Sequence, residues 1–231
     1  MKIAVIGAGN IGATLVRRFR ALGHEVLVAN SRGPESLKAL ADETGAKPVT
    51  PKDAARSAEV VVVTIPMKAI PDLPHDLFAG VPDSTVVIDT NNYYPRNRDG
   101  RLPGIEESGS ESEWVARQLG RRVVKAFNNI YARHLMERGK PPGARGRIAL
   151  PVSGDNPADK TIVFRLVNEL GFDAVDVGPL NQSWRQQPAT PVYGTDFDAE
   201  GVCRALGQAS PERKPEWKAT PQSPGNFDDP R

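Results

Sequence analysis

Cysteine is nearly missing from the 231-residue chain: Cys203 stands alone, so no disulfide can close within it. Histidine is scarce too, and His24, His75 and His134 lie too far apart for a recognisable metal-ligand spacing, so no metal site is expected. An excess of one charge is also lacking. A net charge of +2 has none of the strong basic bias of a general nucleic-acid binder, and no nucleic-acid partner is expected. No apolar run approaches the length of a membrane span, and no charged segment leads into an apolar stretch before the first strand. The expectation is a soluble, cytoplasmic chain with no membrane partner. No internal repeat is evident, and the length suits one large domain, or one domain with an appendage.

What is present begins at the first residue. Met1 to Arg32 reads MKIAVIGAGNIGATLVRRFRALGHEVLVANSR. Lys2 to Ile6 is a β-branched run, Gly7, Gly9 and Gly12 stand at G-x-G-x-x-G spacing, and Ile11, Leu15, Phe19 and Leu22 follow at helical intervals up to Gly23. A second strand, Val26 to Asn30, completes the strand, turn, helix, strand order of a dinucleotide-binding unit. In such a unit the first glycine turns the chain, the second lets a pyrophosphate approach the backbone, and the third lets helix and strand close together. The helix then presents its first N–H groups, around Asn10 and Ile11, and its positive dipole end to the phosphates.

The end of the second strand selects the dinucleotide. An NAD site places a carboxylate there for the ribose 2′-OH, whereas here Asn30, Ser31 and Arg32 offer an amide, a hydroxyl and a guanidinium. Those groups suit the 2′-phosphate of NADP(H), which Arg can hold with two parallel charge-assisted bonds.

Further along, Leu37, Leu40 and Ala41 share a helical face, Lys47 to Val49 is a brief strand, and Pro51 to Ala58 a short helix. Four consecutive valines in Val60 to Ile65 predict a strand covered on both faces. Strands are also expected at Thr85 to Asp89, Val123 to Phe127, Ile148 to Val152 and Val175 to Val177, with Pro151 placing its strand at a sheet edge or bulge. Helices are expected at Glu111 to Leu119, after Asn156 and Pro157, and at Asp198 to Ala209. Ligands in open parallel sheets bind beyond the carboxyl ends of the strands, which brings Thr64, Ile65, Pro66, Asn91 and Asn128 forward as site candidates. Pro and Asn also punctuate strand ends as plain turn residues. Arg133 to Arg147, rich in basic residues, reads as a solvated loop or as an electropositive rim.

The fold class that follows is α/β, a Rossmann-type doubly wound, mostly parallel sheet with a small C-terminal extension. Residues 1–180 form the NADP(H)-binding domain, 181–210 a short extension near the acceptor site, and 211–231 a proline-rich tail expected to be disordered.

The stretches VIGAGNIG, ANSRGPESL, VVVTIP, VVKAFNNI and the succession VSGDNP, LGF, VGPL resemble the NADPH-dependent reductases of the deazaflavin coenzyme F420. That family includes the related cytosolic domain of the six-transmembrane metalloreductases, and the resemblance spans about residues 1 to 185. It implies NADP(H) on Gly7 to Gly12, with Ser31 and Arg32 on the 2′-phosphate. It also implies nicotinamide near Ile65, Pro66, Asn91 and Asn128, and a flavin-like acceptor stacked over it.

Independently of the resemblance, only thirty residues lie between Leu180 and Ala209, too few for the second domain that usually closes a pocket around a small substrate. A planar redox partner on the open edge therefore fits better. Hydride transfer between two rings needs stacking and water exclusion more than an acid or base, so Asn91 and Asn128 are assigned to positioning and no proton donor is assigned. Three classes stand: a reductase of a flavin or deazaflavin; a reductase of a small carbonyl or imine whose pocket is completed by the C-terminal residues or by a second copy in a homodimer; and a non-catalytic NADP(H)-binding module. NADPH is expected to bind at least about tenfold more tightly than NADH, since a charge-assisted contact is worth about 1.5 kcal/mol or more. Fluorescence titration of both, repeated on Arg32→Ala, should show that the substitution closes most of the gap.

Overall fold

Apolar runs with no polar alternation become strands covered on both faces. The computed structural model describes residues 1–220 and 223. In it the strands are β1 (Lys2–Ile6), β2 (Glu25–Ala29), β3 (Lys47–Pro48), β4 (Val60–Val63), β5 (Val86–Asp89), β6 (Val124–Lys125), β7 (Ala149–Ser153) and β8 (Asp173–Gly178). They form one sheet in the order β3-β2-β1-β4-β5-β6-β7-β8. Every neighbouring pair is parallel except β6 and β7, which meet antiparallel through the single register pair Lys125↔Ser153. The result is the doubly wound, mostly parallel Rossmann-type sheet.

Helices cover the sheet on both sides, as the period-2 alternation of side chains demands. They are α1 (Asn10–Ala21), α2 (Lys38–Thr44), α3 (Pro51–Ser57), α4 (Glu111–Leu119), α5 (Ala132–Glu137), α6 (Pro157–Glu169) and α7 (Ala199–Gly207). On one face Ile3, Val5, Val60, Val62 and Ile88 join Leu15, Phe19, Val163 and Leu166 of α1 and α6. On the other, Ala4, Ile6, Val61 and Val63 join Ala54, Trp114 and Val115 of α3 and α4. The four valines of β4 are fully buried and divide two and two between these layers. A smaller cluster seats Val202, Ala205 and Leu206 of α7 against Ala149 and Val175. Among the described residues no helix is long and apolar enough to cross a membrane.

Three expectations need correction. Pro151 lies in an internal strand and not at an edge, whereas the bulge alternative fits the register irregularity one step on, between Val152 and Ser153. It is tolerated because the β6 side of β7 carries almost no ladder, and Gln186 Nε2 donates to the Pro151 carbonyl instead. The basic stretch 133–147 carries most of α5 and is largely solvated, but four of its five cations have partners among the described residues. Arg147 is buried and donates to the carbonyls of Lys140, Gly171 and Asn168, while Arg138 pairs with Asp196.

The third correction concerns the tail. Composition predicts that 211–231 stays unordered, yet Pro211 to Thr220 lie along the segment that follows β5. Arg213 Nη2 donates to Glu111 Oε1 at 2.6 Å, and its guanidinium lies 5.3 Å from the centroid of the Tyr93 ring. Arg96 donates to the carbonyls of Pro215 and Lys218, and Trp217 sits 6.0 Å from Tyr94, ring to ring. The reason is electrostatic: the Glu111 side chain is wholly buried and calls for a counter-charge, which low mean hydropathy cannot reveal. The remainder of that expectation, on residues 221, 222 and 224–231, lies outside the described residues.

Burial holds the Glu111 carboxyl above the ordinary carboxylate range, and Arg213 and Lys125 pull it part of the way back. An acid with a higher pKa folded than unfolded costs more stability as pH rises, because the folded state then has to accommodate the anion. Arg213→Ala is therefore expected to lower Tm at pH 8 by on the order of 5 °C, and by less at pH 5. Adding Glu111→Gln should remove that pH dependence, and thermal melts at the two pH values check both.

Candidate functional site

The site is built where β1, β4 and β5 end. Gly7 follows β1 at φ +111°, and a Cβ there would lie 2.1 Å from the Thr64 carbonyl oxygen. One on Gly12 would lie 2.1 Å from the Gly7 oxygen and 2.8 Å from Thr64 Cγ2. Thus the first and third glycines exist so that the turn, α1 and the end of β4 can touch backbone to backbone. Gly9 is different: nothing of the protein comes within 4 Å of where its Cβ would stand, although its backbone is ordinary extended chain. Internal packing does not account for glycine there. A glycine that packing does not require is what close approach of a pyrophosphate would require.

Helix α1 opens at Gly9 with no side-chain cap and no acid in its first turn, while Arg18 and Arg20 occupy its last turn. Its first internal bond runs from Ala13 N to Gly9 O, so the N–H groups of Asn10, Ile11 and Gly12 are free of helical partners. The uncapped positive end fits an anion.

At the end of β2 the Asn30 amide shapes a turn: Arg32 N donates to Asn30 Oδ1 at 3.0 Å, and Asn30 Nδ2 donates to Ser36 Oγ at 2.8 Å. Ser31 and Arg32 are exposed at its tip, and the Arg32 guanidinium makes no hydrogen bond or ion pair among the described residues. Asn30 is thereby an organiser of the turn whose exposed tip Ser31 and Arg32 occupy.

The other candidates divide. Thr64 supplies the contact to Gly7 and Gly12, and Pro66 begins a short 3₁₀ turn over Met67–Ala69. Asn91 accepts from Ile65 N at Oδ1 (2.9 Å), while its Nδ2 is buried with no partner. Asn128 does not do what its position in sequence suggests. Its Nδ2 donates to Asn92 Oδ1 (3.0 Å) and to the Gln186 carbonyl (2.7 Å), and its Oδ1 accepts from Gln186 Nε2 (2.9 Å). Both amide hydrogens are committed inside the protein, so Asn128 ties the end of β6 to the C-terminal extension and has no hydrogen to give a ring. The reason is the 3₁₀ segment Leu180–Gln186, which brings Gln186 against it.

Sequence reasoning passed over a buried ion pair beside the site. Lys125 Nζ lies 3.1 Å from Asp89 Oδ2, with both side chains wholly buried. Asp89 also accepts from Ser112 Oγ (2.7 Å) and from Asn91 N (2.9 Å), and Lys125 donates to the Asn91 carbonyl. The available signal was a charge inside each of two apolar strand patterns, VVID and VVKAF. Next to β6, Phe127 takes a left-handed φ of 60°, and both polar atoms of the buried Asn129 amide lack a partner. Such departures from the usual rules concentrate at sites of function.

Ile105, Glu106, Ser108–Glu111, Trp184, Gln187–Pro191 and the strip 210–214 wall a cavity of about 510 Å³. Tyr94 and Tyr193 meet hydroxyl to hydroxyl nearby. Burial pushes both phenols above their ordinary range, and of the two neutral hydroxyls one donates to the other.

Residues 2–93 match the family described as NADP oxidoreductase, coenzyme F420-dependent. The F420-dependent NADP reductase of Methanothermobacter thermautotrophicus is 36% identical over 212 residues, covering 83% of this chain and 87% of that protein. The Escherichia coli protein YjhV is 49% identical over 66 residues, which span 29% of this chain and 48% of YjhV. Among solved structures, the hypothetical protein SMa0349 of Sinorhizobium meliloti superposes with a TM-score of 0.67 at 34% identity, covering 84% of this chain and 94% of that one.

The glycine geometry yields a contrast that separates binding from folding. Gly9→Val should keep Tm within a few degrees of the parent yet abolish binding of a dinucleotide. Gly12→Val should instead unfold or strongly destabilise the protein, since its Cβ would meet backbone. Thermal melts paired with calorimetric titration read both outcomes.

Proposed function

We propose, for a chain that belongs to the family of coenzyme F420-dependent NADP oxidoreductases, that NADPH passes its hydride to a deazaflavin or flavin lying over the carboxyl ends of β4, β5 and β6. The protein is an NADP-dependent oxidoreductase, and the acceptor is the part inferred. The observation that carries the cofactor half is Gly9: an extended residue with no packing reason to be glycine, at the uncapped start of α1. In this reading Gly7, Gly9 and Gly12 with the N–H groups of Asn10 and Ile11 hold the pyrophosphate. Ser31 and Arg32 hold the 2′-phosphate, with Asn30 keeping their turn in shape. Thr64, Ile65, Pro66 and Asn91 line the nicotinamide end.

Bound NADPH supplies the hydride, and the protein's task is to orient and to exclude water. Asn128 serves this at one remove, holding Asn92 and Gln186 in place. Support for a planar acceptor is the short C-terminal part, whose residues between 184 and 218 contribute to the wall of the cavity without forming a second domain. The related M. thermautotrophicus protein, by its name an F420-dependent reductase, points the same way.

Stopped-flow oxidation of bound NADPH by a panel of deazaflavin, flavins, small carbonyls and imines tests the proposal. Deazaflavin or flavin is expected to oxidise it at least about tenfold faster than any carbonyl or imine, because a ring held in place gains the advantage of positioning. Preference for an imine or carbonyl would overturn the acceptor assignment. Absence of any oxidation would make the chain a binding module.

A further inference from the structure

Asn91 is held in an unusual way. Its N–H donates to Asp89 Oδ1, its carbonyl accepts from Lys125 Nζ, and its Oδ1 accepts from Ile65 N. Three of its four polar atoms are therefore fixed by the protein, and the fourth, Nδ2, has no partner although the residue is only 3% exposed. The orientation of the amide is not in doubt, because only an oxygen can face the Ile65 N–H. An unsatisfied buried donor is costly, and here the cost comes with a dedicated scaffold around it. That scaffold is itself expensive: a fully buried Asp89–Lys125 pair, steadied by Ser112, where apolar residues would fill the same volume at no loss of stability.

Asn91 follows β5, on the carboxyl edge of the sheet. In the strand order β1-β4-β5, Asn91 stands two strands, or about 10 Å, from the glycine turn that receives the pyrophosphate. That is within reach of a ribosyl-nicotinamide extended along the edge, whose carboxamide oxygen is an acceptor looking for a fixed N–H.

We propose that Asn91 Nδ2 donates to the nicotinamide carboxamide oxygen, and that Asp89 and Lys125 are positioning residues whose purpose is to aim that one N–H. The inference rests on the NADP(H) reading above, and it assigns Asp89, Ser112 and Lys125 a part in cofactor orientation. The ion pair is not a proton donor in this account. It clamps the backbone of Asn91 on both sides of the α-carbon, so that the side chain cannot swing without breaking a buried bond.

The test compares the affinity of NADP⁺ with that of 2′-phospho-ADP-ribose, the same molecule without nicotinamide, by calorimetric titration. The parent should bind NADP⁺ more tightly. Asn91→Ala should weaken NADP⁺ by about fivefold, the worth of one net hydrogen bond, and leave the truncated ligand unchanged. Lys125→Met should reproduce that selective loss, and adding it to Asn91→Ala should cost nothing more in the ratio of the two affinities, because both act through one contact. Asp89→Asn/Lys125→Met removes both charges together and keeps an acceptor for Asn91 N, so it carries the same expectation if the single variant does not fold. Equal losses for both ligands, or losses that add, would show the pair to be scaffold alone and overturn the proposal. Failure of the truncated ligand to bind the parent would instead overturn the NADP(H) reading beneath it.

Discussion

Contact between the Gly7 turn, Gly12 and the carbonyl of Thr64 is the constraint on which the rest of the molecule depends. Three backbone segments meet where no side chain can intervene, and this closeness sets where α1 starts relative to the ends of β1 and β4. Any enlargement would lift α1 from the sheet and separate Leu15 and Phe19 from Ile3 and Val5. The same closeness leaves the uncapped N–H groups of α1 facing outward beside Gly9. Fold and cofactor site are thus one geometric fact: the contact that lets the domain close also exposes the donors that an anion needs.

A second theme is charge placed in dry surroundings along the carboxyl edge. Asp89 with Lys125, and Glu111 with Arg213, hold the segment from Asn91 to Tyr93. Glu111 Oε2 takes the Tyr93 N–H, just as Asp89 takes that of Asn91. The loop leaving β5 is therefore held by carboxylates at alternate residues, each of which carries its own cation. Such pairs add little net stability compared with apolar packing, but they fix backbone direction in a way that apolar packing does not.

Much of this could be read in the sequence. The valines of β4 declare a strand buried on both faces, and the glycine spacing declares the turn and the close packing at Gly7 and Gly12. Asn156 followed by Pro157 marks the start of α6, where the Asn156 side chain accepts from Ala158 N and Asp159 N. What escaped was long-range. Asn128 lies at a strand end, as its surroundings suggest, but its partner Gln186 is 58 residues away and has no local signature. Arg213 sits in a segment whose composition speaks for disorder, and only the burial of Glu111 reveals why it docks. Local pattern reports what a residue can do, whereas its use is decided by what the fold brings beside it.

The antiparallel step between β6 and β7 has a consequence for the ligand. Strand carboxyl ends make a continuous shelf only while polarity is constant, and here constancy ends at β6. From β2, where Ser31 and Arg32 stand, to β6, the shelf is four inter-strand spacings wide, or about 19 Å. Reversal of one strand pair acts as an end-stop, so on the proposed reading of the site the sheet measures its cofactor: the tip with Ser31 and Arg32 marks one limit, the change of polarity the other, and the reactive ring falls short of the second.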